Sequence, residues 1–317
     1  MMRQLDRIVI DKCHVVLDLT REWRPAVKQL IEITEKETQV MYLIVTVPLK
    51  NEVEFLEIMG LKERDVTRLR ESTTRRNVVY SVYKYKKSEE EEEVKKLVEQ
   101  KEREYPLPGQ MIVYYRKIKQ AQRLAEVLEC KVYFREVGNK QEKKKILQSL
   151  TKGKEQVFTA TNALGLGIDA PTIRVVIHVG LKEKMRDYSQ ESGRAERDGL
   201  KSEAIIMRSF TIRAGRKEVV EKDWNIEAGM QEFLDRDICK RVVLDREIDG
   251  RVNRLGYKIG EEKCNICQQR PRGEKRRRDR LLEESDIEEE ADIEKIENEL
   301  EIENRIEIEM EERERIG

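Results

Sequence analysis

Gln110-Met111-Ile112-Val113-Tyr114-Tyr115 opens the stretch that decides the fold, which continues through Lys117–Leu128, Lys131–Arg135 and Lys140–Leu150 to Gln156–Ala160. The first segment is a short apolar and aromatic run, as a buried strand requires. In the second, Ile118, Ala121, Leu124, Ala125 and Leu128 recur at the spacing that places them on one helix face. Lys131–Arg135 reads as a strand, Lys140–Leu150 as a helix and Gln156–Ala160 as a strand. Strand and helix in alternation predict an α/β fold with a parallel sheet covered on both faces. Right-handed crossovers then place functional loops at the carboxyl ends of the strands.

Outward from this stretch, Ile173–Val179 and Glu203–Met207 read as further strands. Upstream, Leu5–Asp11, Val40–Thr46 and Asn77–Tyr83 are β-branched, apolar runs, and Trp23–Thr34 reads as a helix with a proline near its start. Glu89–Glu93 opens a Lys/Glu-rich segment that runs to Glu104 and stops at Pro106 and Pro108; it reads as an exposed linker helix between two lobes. From Ile212 the pattern becomes charged and mostly helical, with Cys239, Cys264 and Cys267, then a basic run, Arg270–Arg280, then Glu alternating with Ile. The expected organisation is a partial first lobe at 1–84, a charged linker at 85–108, a second lobe at 109–210, a cysteine-containing region at 211–269 and a charged tail at 270–317.

Composition narrows the class. Hydrophobic residues make up 38% of the 317-residue chain, enough for an ordinary core, while 40% are charged, against roughly 25% in a typical soluble protein. No apolar run approaches the roughly 18 residues of a membrane span. Met1–Ile10 lacks the layout of a signal peptide, and five cysteines are too few for a disulfide framework. The expectation is an intracellular, soluble chain whose clustered cysteines point to metal before disulfide. The net charge of zero is a cancellation: residues 283–317 hold 17 acidic and 4 basic residues, so −13, and residues 1–282 carry +13. A basic body with an acidic end fits a polyanion partner; a merely solubilising end is the alternative.

Three segments carry chemistry. Asp11-Lys12-Cys13-His14 follows the first strand, where an acidic residue would hold a nucleotide-bound Mg²⁺ through water. Thr161 to Asp169, with Gly165 and Gly167, follows the Gln156–Ala160 strand, and its glycines permit close backbone approach to phosphate. Gln190 to Gly199 sets Arg194 and Arg197 three apart on one helix face, placed to stabilise charge on a γ-phosphate. Taken singly, each has a structural reading: a strand-terminal acid, a tight loop, a surface ion-pair cluster.

In order and spacing the three resemble the RecQ-type helicases of superfamily 2, and within them a fungal group found near telomeres. The resemblance covers about residues 1–270. It implies two RecA-like lobes, the first incomplete, a small helical cysteine region, and ATP-driven 3′ to 5′ movement along single-stranded DNA. Asp11 and His14 then belong to the Asp-Glu-x-His box, with Asp11 on Mg²⁺, and Tyr42–Leu49 to the Thr-Ala-Thr coupling motif. Gln190, Arg194 and Arg197 would serve the γ-phosphate, and Gly167 and Asp169 the nucleotide side of the fifth motif. Thr161 and Asn162 would link DNA contact to the nucleotide, and Trp23 and Arg24 sit where the family has an aromatic loop coupling DNA to ATP. Cys239, Cys264 and Cys267 fall in the zinc-binding region. The basic run Arg270–Arg280 and the family together imply a nuclear location, and the acidic tail would contact a partner protein or the basic body.

The chain departs from that pattern at several positions. The family places a Gly-Lys-Ser/Thr phosphate loop well before the acidic box, and the ten residues preceding Asp11 do not contain it. The expectation is that this polypeptide alone forms no tight ATP site. Lys12 stands where the family has a glutamate that handles the attacking water, and a cationic lysine cannot take that proton. Ile44, Val45 and Leu49 replace Thr, Ala and Pro; Glu196 replaces a glycine; Tyr257 replaces a further cysteine, leaving zinc one ligand short. Each exchange is reachable by one G-to-A or C-to-T transition, the pattern of a decayed copy of a repeated gene. The resulting expectation is a catalytically impaired nucleic-acid-binding remnant. The alternative is a protein-interaction factor that works through its charged tail.

Overall fold

The computed structural model describes residues 7–18, 39–44, 47–165, 170–195, 198–213, 217–220, 225–235 and 237–270. Two parallel strands, β1 (Arg7–Asp11) and β2 (Gln39–Leu43), pair in the register Arg7↔Gln39 to Asp11↔Leu43. A short helix, α1 (Glu52–Ile58), packs Phe55 and Leu56 with Cys13, Val16 and Met59 in a small cluster beneath them. A strap of mostly irregular chain, residues 59–77, leads from α1 to the larger unit.

That unit is a seven-stranded sheet. Its strands are β3 (Val78–Lys86), β4 (Gln110–Tyr115), β5 (Lys131–Tyr133), β6 (Val157–Ala160), β7 (Ile173–Val179), β8 (Ser202–Arg213) and β9 (Lys217–Val220). They are ordered β3-β8-β7-β4-β6-β5, all parallel, with β9 antiparallel on the far end of β8. Every residue of β4, β6 and β7 is buried, as strands covered on both faces must be. The helices are α2 (Glu90–Glu104), α3 (Ile118–Val127), α4 (Lys140–Thr151) and α5 (Met185–Ser192). Asn139 starts α4 with a capping box, its Oδ1 accepting from the amides of Gln141 and Glu142 while Glu142 accepts from the Asn139 amide at 2.8 Å. A third layer covers the β3 end: α6 (Ala228–Asp235), α7 (Lys240–Leu244) with a π-helical turn (Asp245–Asp249), and α8 (Asn265–Gln269). Phe233, Leu234, Val243, Leu244 and the three cysteines share one core with Val78, Tyr80 and Tyr188.

The α/β architecture follows the alternating pattern of the sequence, but three readings change. Asn77–Tyr83, expected in the first lobe, is β3 of the large sheet, paired with β8 along its whole length. The following helix α2 is then the crossover of a β3-α2-β4 unit rather than an exposed linker between lobes. Val94, Leu97 and Val98 form a buried stripe at helical spacing, and buried Lys101 pairs with Glu203 at 2.8 Å and Glu104 at 2.6 Å. The glutamates that suggest a solvated segment occupy the other face. Third, the region after Ile212 opens as strand, not helix, because β8 runs on to Arg213 and β9 pairs with it antiparallel. The expected boundaries at 84 and 108 therefore fall inside one βαβ unit. Trp23–Thr34 and the tail from 271 lie outside the described residues.

Candidate nucleotide and nucleic-acid site

Asp11 ends β1, and the chain leaves it through Lys12, whose φ of +58° makes a sharp left-handed turn. Lys12 Nζ lies 3.5 Å from the Asp11 carboxylate, and both side chains are largely exposed. The 3₁₀ turn Cys13–Asp18 follows. Cys13 donates to the Ile10 carbonyl at 2.8 Å, and His14 is buried behind it.

Across from this turn stands α5. Gln190 Nε2 lies 3.5 Å from His14 Nε2, a geometry that suits amide donation to an unprotonated ring nitrogen. Thus the acidic-box segment and the Gln190–Arg194 segment, 176 residues apart, meet at one place. Gly193 closes the helix through its amide on the Ser189 carbonyl at 3.0 Å. A Cβ there would lie 3.1 Å from that carbonyl and 3.5 Å from Arg75 Nη2, so close approach, not backbone angle, favours glycine. Arg194 is buried, and its charge acts on the Tyr114 hydroxyl.

Behind Gln190 is a buried polar group that the sequence reading did not assemble. His178 on β7 contacts Glu191 at 2.8 Å, Lys182 Nζ contacts the same carboxylate oxygen at 2.5 Å, and the His178 ring stacks on Tyr114 at 5.3 Å. Burial lowers the His178 pKa, which the Glu191 hydrogen bond only partly offsets, so the ring is neutral at pH 7. Burial opposes charge on Glu191 too, but His178 and Lys182 outweigh it and hold the carboxyl at about 2. A charged carboxylate in low dielectric, paired this way, fixes α5 against the sheet and hence the direction of Gln190 and Arg194. Glu191 stands within the motif, but its partners are set by strand packing, which no local pattern shows.

Thr161 is buried at the end of β6, its amide on the Tyr133 carbonyl at 3.1 Å, and exposed Asn162 begins a 3₁₀ turn that buries Leu164. Trp23, Arg24, Gly167, Asp169 and Arg197 lie outside the described residues. An Mg²⁺ carried by ATP would find in Asp11 a fitting carboxylate at a strand's carboxyl end, with Lys12 as its built-in competitor.

The cysteines do converge. The sulfurs of Cys239, Cys264 and Cys267 lie within 4.8 Å of one another, all buried, with Cys264 and Cys239 3.9 Å apart. Four sulfurs around zinc at about 2.3 Å would be about 3.8 Å apart, so these residues fit three corners of a zinc tetrahedron and would hold the ion. The Lys240 amide points at Cys264 Sγ at 3.5 Å. Lys240 Nζ is itself buried, bonded to the Phe233 carbonyl, and burial lowers its pKa. Tyr257 packs in the same core, and among the described residues no fourth His, Cys, Asp or Glu joins the three.

Residues 89–199 match the helicase conserved C-terminal domain. The chain is 29% identical over 268 residues to the probable ATP-dependent DNA helicase RecS of Bacillus subtilis, covering 81% of this chain and 52% of that one. It is 38% identical over 116 residues to the RecQ-like DNA helicase BLM of Xenopus laevis, covering 35% of this chain and 8% of the relative. The chain thus spans about half or less of the length of these relatives. Among solved structures, the Saccharomyces cerevisiae Dbp5 bound to RNA and ADP BeF3 shares the fold, with a TM-score of 0.54, 18% identity and coverage of 74% of this chain and 59% of that chain. Among the described residues no helix is long and apolar enough to cross a membrane.

Proposed function

We propose that this chain is a RecQ-like DNA helicase module that binds single-stranded nucleic acid and does not turn over ATP by itself. The observation that carries the reading is the contact of His14 with Gln190, which joins the acidic box to the Gln-x-x-Gly-Arg segment across the chain. In this arrangement Gln190 and Arg194 form the charge-stabilising side of a nucleotide site, and Asp11 the metal-facing side.

Lys12 argues for impairment. Its ammonium neutralises Asp11 from 3.5 Å and offers no lone pair to an attacking water. Losing such a base costs on the order of 10²–10⁴ in rate. Binding needs none of this chemistry, since phosphate neutralisation by a basic body is sufficient. The transition-type exchanges at Lys12, Glu196 and Tyr257 support a diverged copy of a helicase gene, and the Arg270–Arg280 run supports a nuclear location. Binding to a labelled single-stranded oligonucleotide across a salt series tests the reading. A log affinity that falls linearly with log salt is expected; no binding at low salt refutes it.

A further inference from the structure

We propose that the strap holds a separate phosphate-binding site, in an open surface depression of about 640 Å³ whose lining includes Glu71, Ser72, Arg75, Arg76, Asn77 and Arg251. The inference rests on the nucleic-acid reading above and adds a place and residues that it does not contain. The volume is in the range of small-ligand sites, large enough for a nucleotide unit.

Charge points to the ligand. Three arginines and one glutamate are among the lining residues, so the lining carries +2. Arginines in the surrounding structure are committed: Arg70 to Glu52 and the Val47 and Ile248 carbonyls, Arg246 to Glu232, Arg254 to Asp245 and Glu261. Arg76 and Arg251 are exposed and form no ion pair among the described residues, although Arg251 is near enough to Asp249 to favour its charge. The Arg76 and Arg251 guanidiniums, without an ion-pair partner among the described residues and lining one depression, suit a phosphate oxygen through paired N–H donors.

The backbone that carries them is held rigid from behind. Arg241, fully buried, donates to the carbonyls of Arg75 at 2.8 Å, Arg76 at 3.0 Å and Val78 at 2.7 Å, and the Glu262 amide takes the Arg76 carbonyl at 2.7 Å. Thr73 bonds Asp249 through its amide at 2.8 Å and its hydroxyl at 2.5 Å, and Thr74 bonds Asp245 at 2.6 Å. The Arg75 and Arg76 carbonyls are therefore spent on the cysteine-containing layer and do not repel an anion in the depression. Preorganisation of this kind lowers the ordering cost of binding. Arg75 also reaches the Gly193 turn, so the depression adjoins the Gln190–Arg194 segment. The shared ligand chemistry is a phosphate group, supplied by a nucleic-acid backbone or by a nucleotide.

The test uses the full chain and the double variant R76Q/R251Q, both exposed positions outside the contacts that hold the fold. Binding of a labelled oligothymidylate is measured against salt, and binding of ATP separately. Loss of two phosphate contacts lowers the log–log salt slope for the oligonucleotide by about 1.4, which would support the site with nucleic acid as the source. Loss of ATP binding with the oligonucleotide slope unchanged would support it with nucleotide as the source. The charge-conserving variant Thr73→Val, which loosens the strap, is expected to weaken the same ligand severalfold. Oligonucleotide and ATP binding both unchanged in R76Q/R251Q would overturn the site while leaving the helicase reading intact. Failure of the unmodified chain to bind either ligand would overturn both.

Discussion

The seven-stranded sheet and the β1–β2 pair are both parallel, yet they are supported differently. β4 and β7 bury every residue between helical layers. β1 and β2 alternate exposed and half-buried positions, with Val9 53% and Leu43 43% exposed. One half of the candidate site, Gln190 and Arg194, is therefore mounted on a full core, and the other, Asp11 and His14, on a thin one. The strap joins them; Asn77 ties its end to the start of β8, and Thr73 to Arg76 are pinned by the cysteine-containing layer.

That contrast can be broken experimentally, starting with the pin. Arg241→Met removes the donor shared by the Arg75, Arg76 and Val78 carbonyls and the cation beside buried Glu261, and should cost about 3–5 kcal/mol, read by urea unfolding. A loss under about 1 kcal/mol would mean that the strap holds itself. In the large sheet, Met111→Ala opens a cavity in a fully buried strand and should cost about 2–5 kcal/mol. Val9→Ala in β1 should stay within about 0.5 kcal/mol; equal effects would erase the distinction between the two regions.

The mounting of α5 predicts a pH dependence. Glu191 falls from 4.5 to about 2 on folding, so it adds stability above pH 4.5 that is lost as pH drops toward 2, about 3 kcal/mol in all. His178, lowered from 6.5 by burial, acts with the same sign: the unfolded ring takes a proton that the folded ring resists, so stability also declines below pH 6.5. Unfolding curves of Glu191→Gln at a series of pH values should lack the lower limb; an unchanged limb would show that the pair with His178 and Lys182 contributes nothing. The cysteine layer gives a smaller handle. Zinc at 100 times its dissociation constant should add about 2.7 kcal/mol, and Cys267→Ser should abolish that gain. Equal melting temperatures with zinc and with a chelator would refute a formed site.

Much of the large sheet is legible in the sequence, because β4, β6 and β7 are short apolar runs and α3 carries a clean helical stripe. Cys264-x-x-Cys267 with Cys239 likewise announces its own convergence. Membership of β3 is not legible, since its partner β8 lies over a hundred residues away and pairing leaves no local mark. Helix α2 misleads through its glutamates, though Val94, Leu97 and Val98 carry the buried stripe in plain spacing. The His178–Glu191–Lys182 group and the strap's anchorage arise from tertiary approach alone. They are also what positions the site.

The proposed module grips nucleic acid without consuming ATP, with Lys12 in the place of a base. The direct measurement is phosphate release from ATP by the purified chain with and without single-stranded oligonucleotide, at a concentration where binding is saturated. Binding is expected, with release no faster than the protein-free blank. Oligonucleotide-stimulated release that disappears in Arg194→Ala would contradict it.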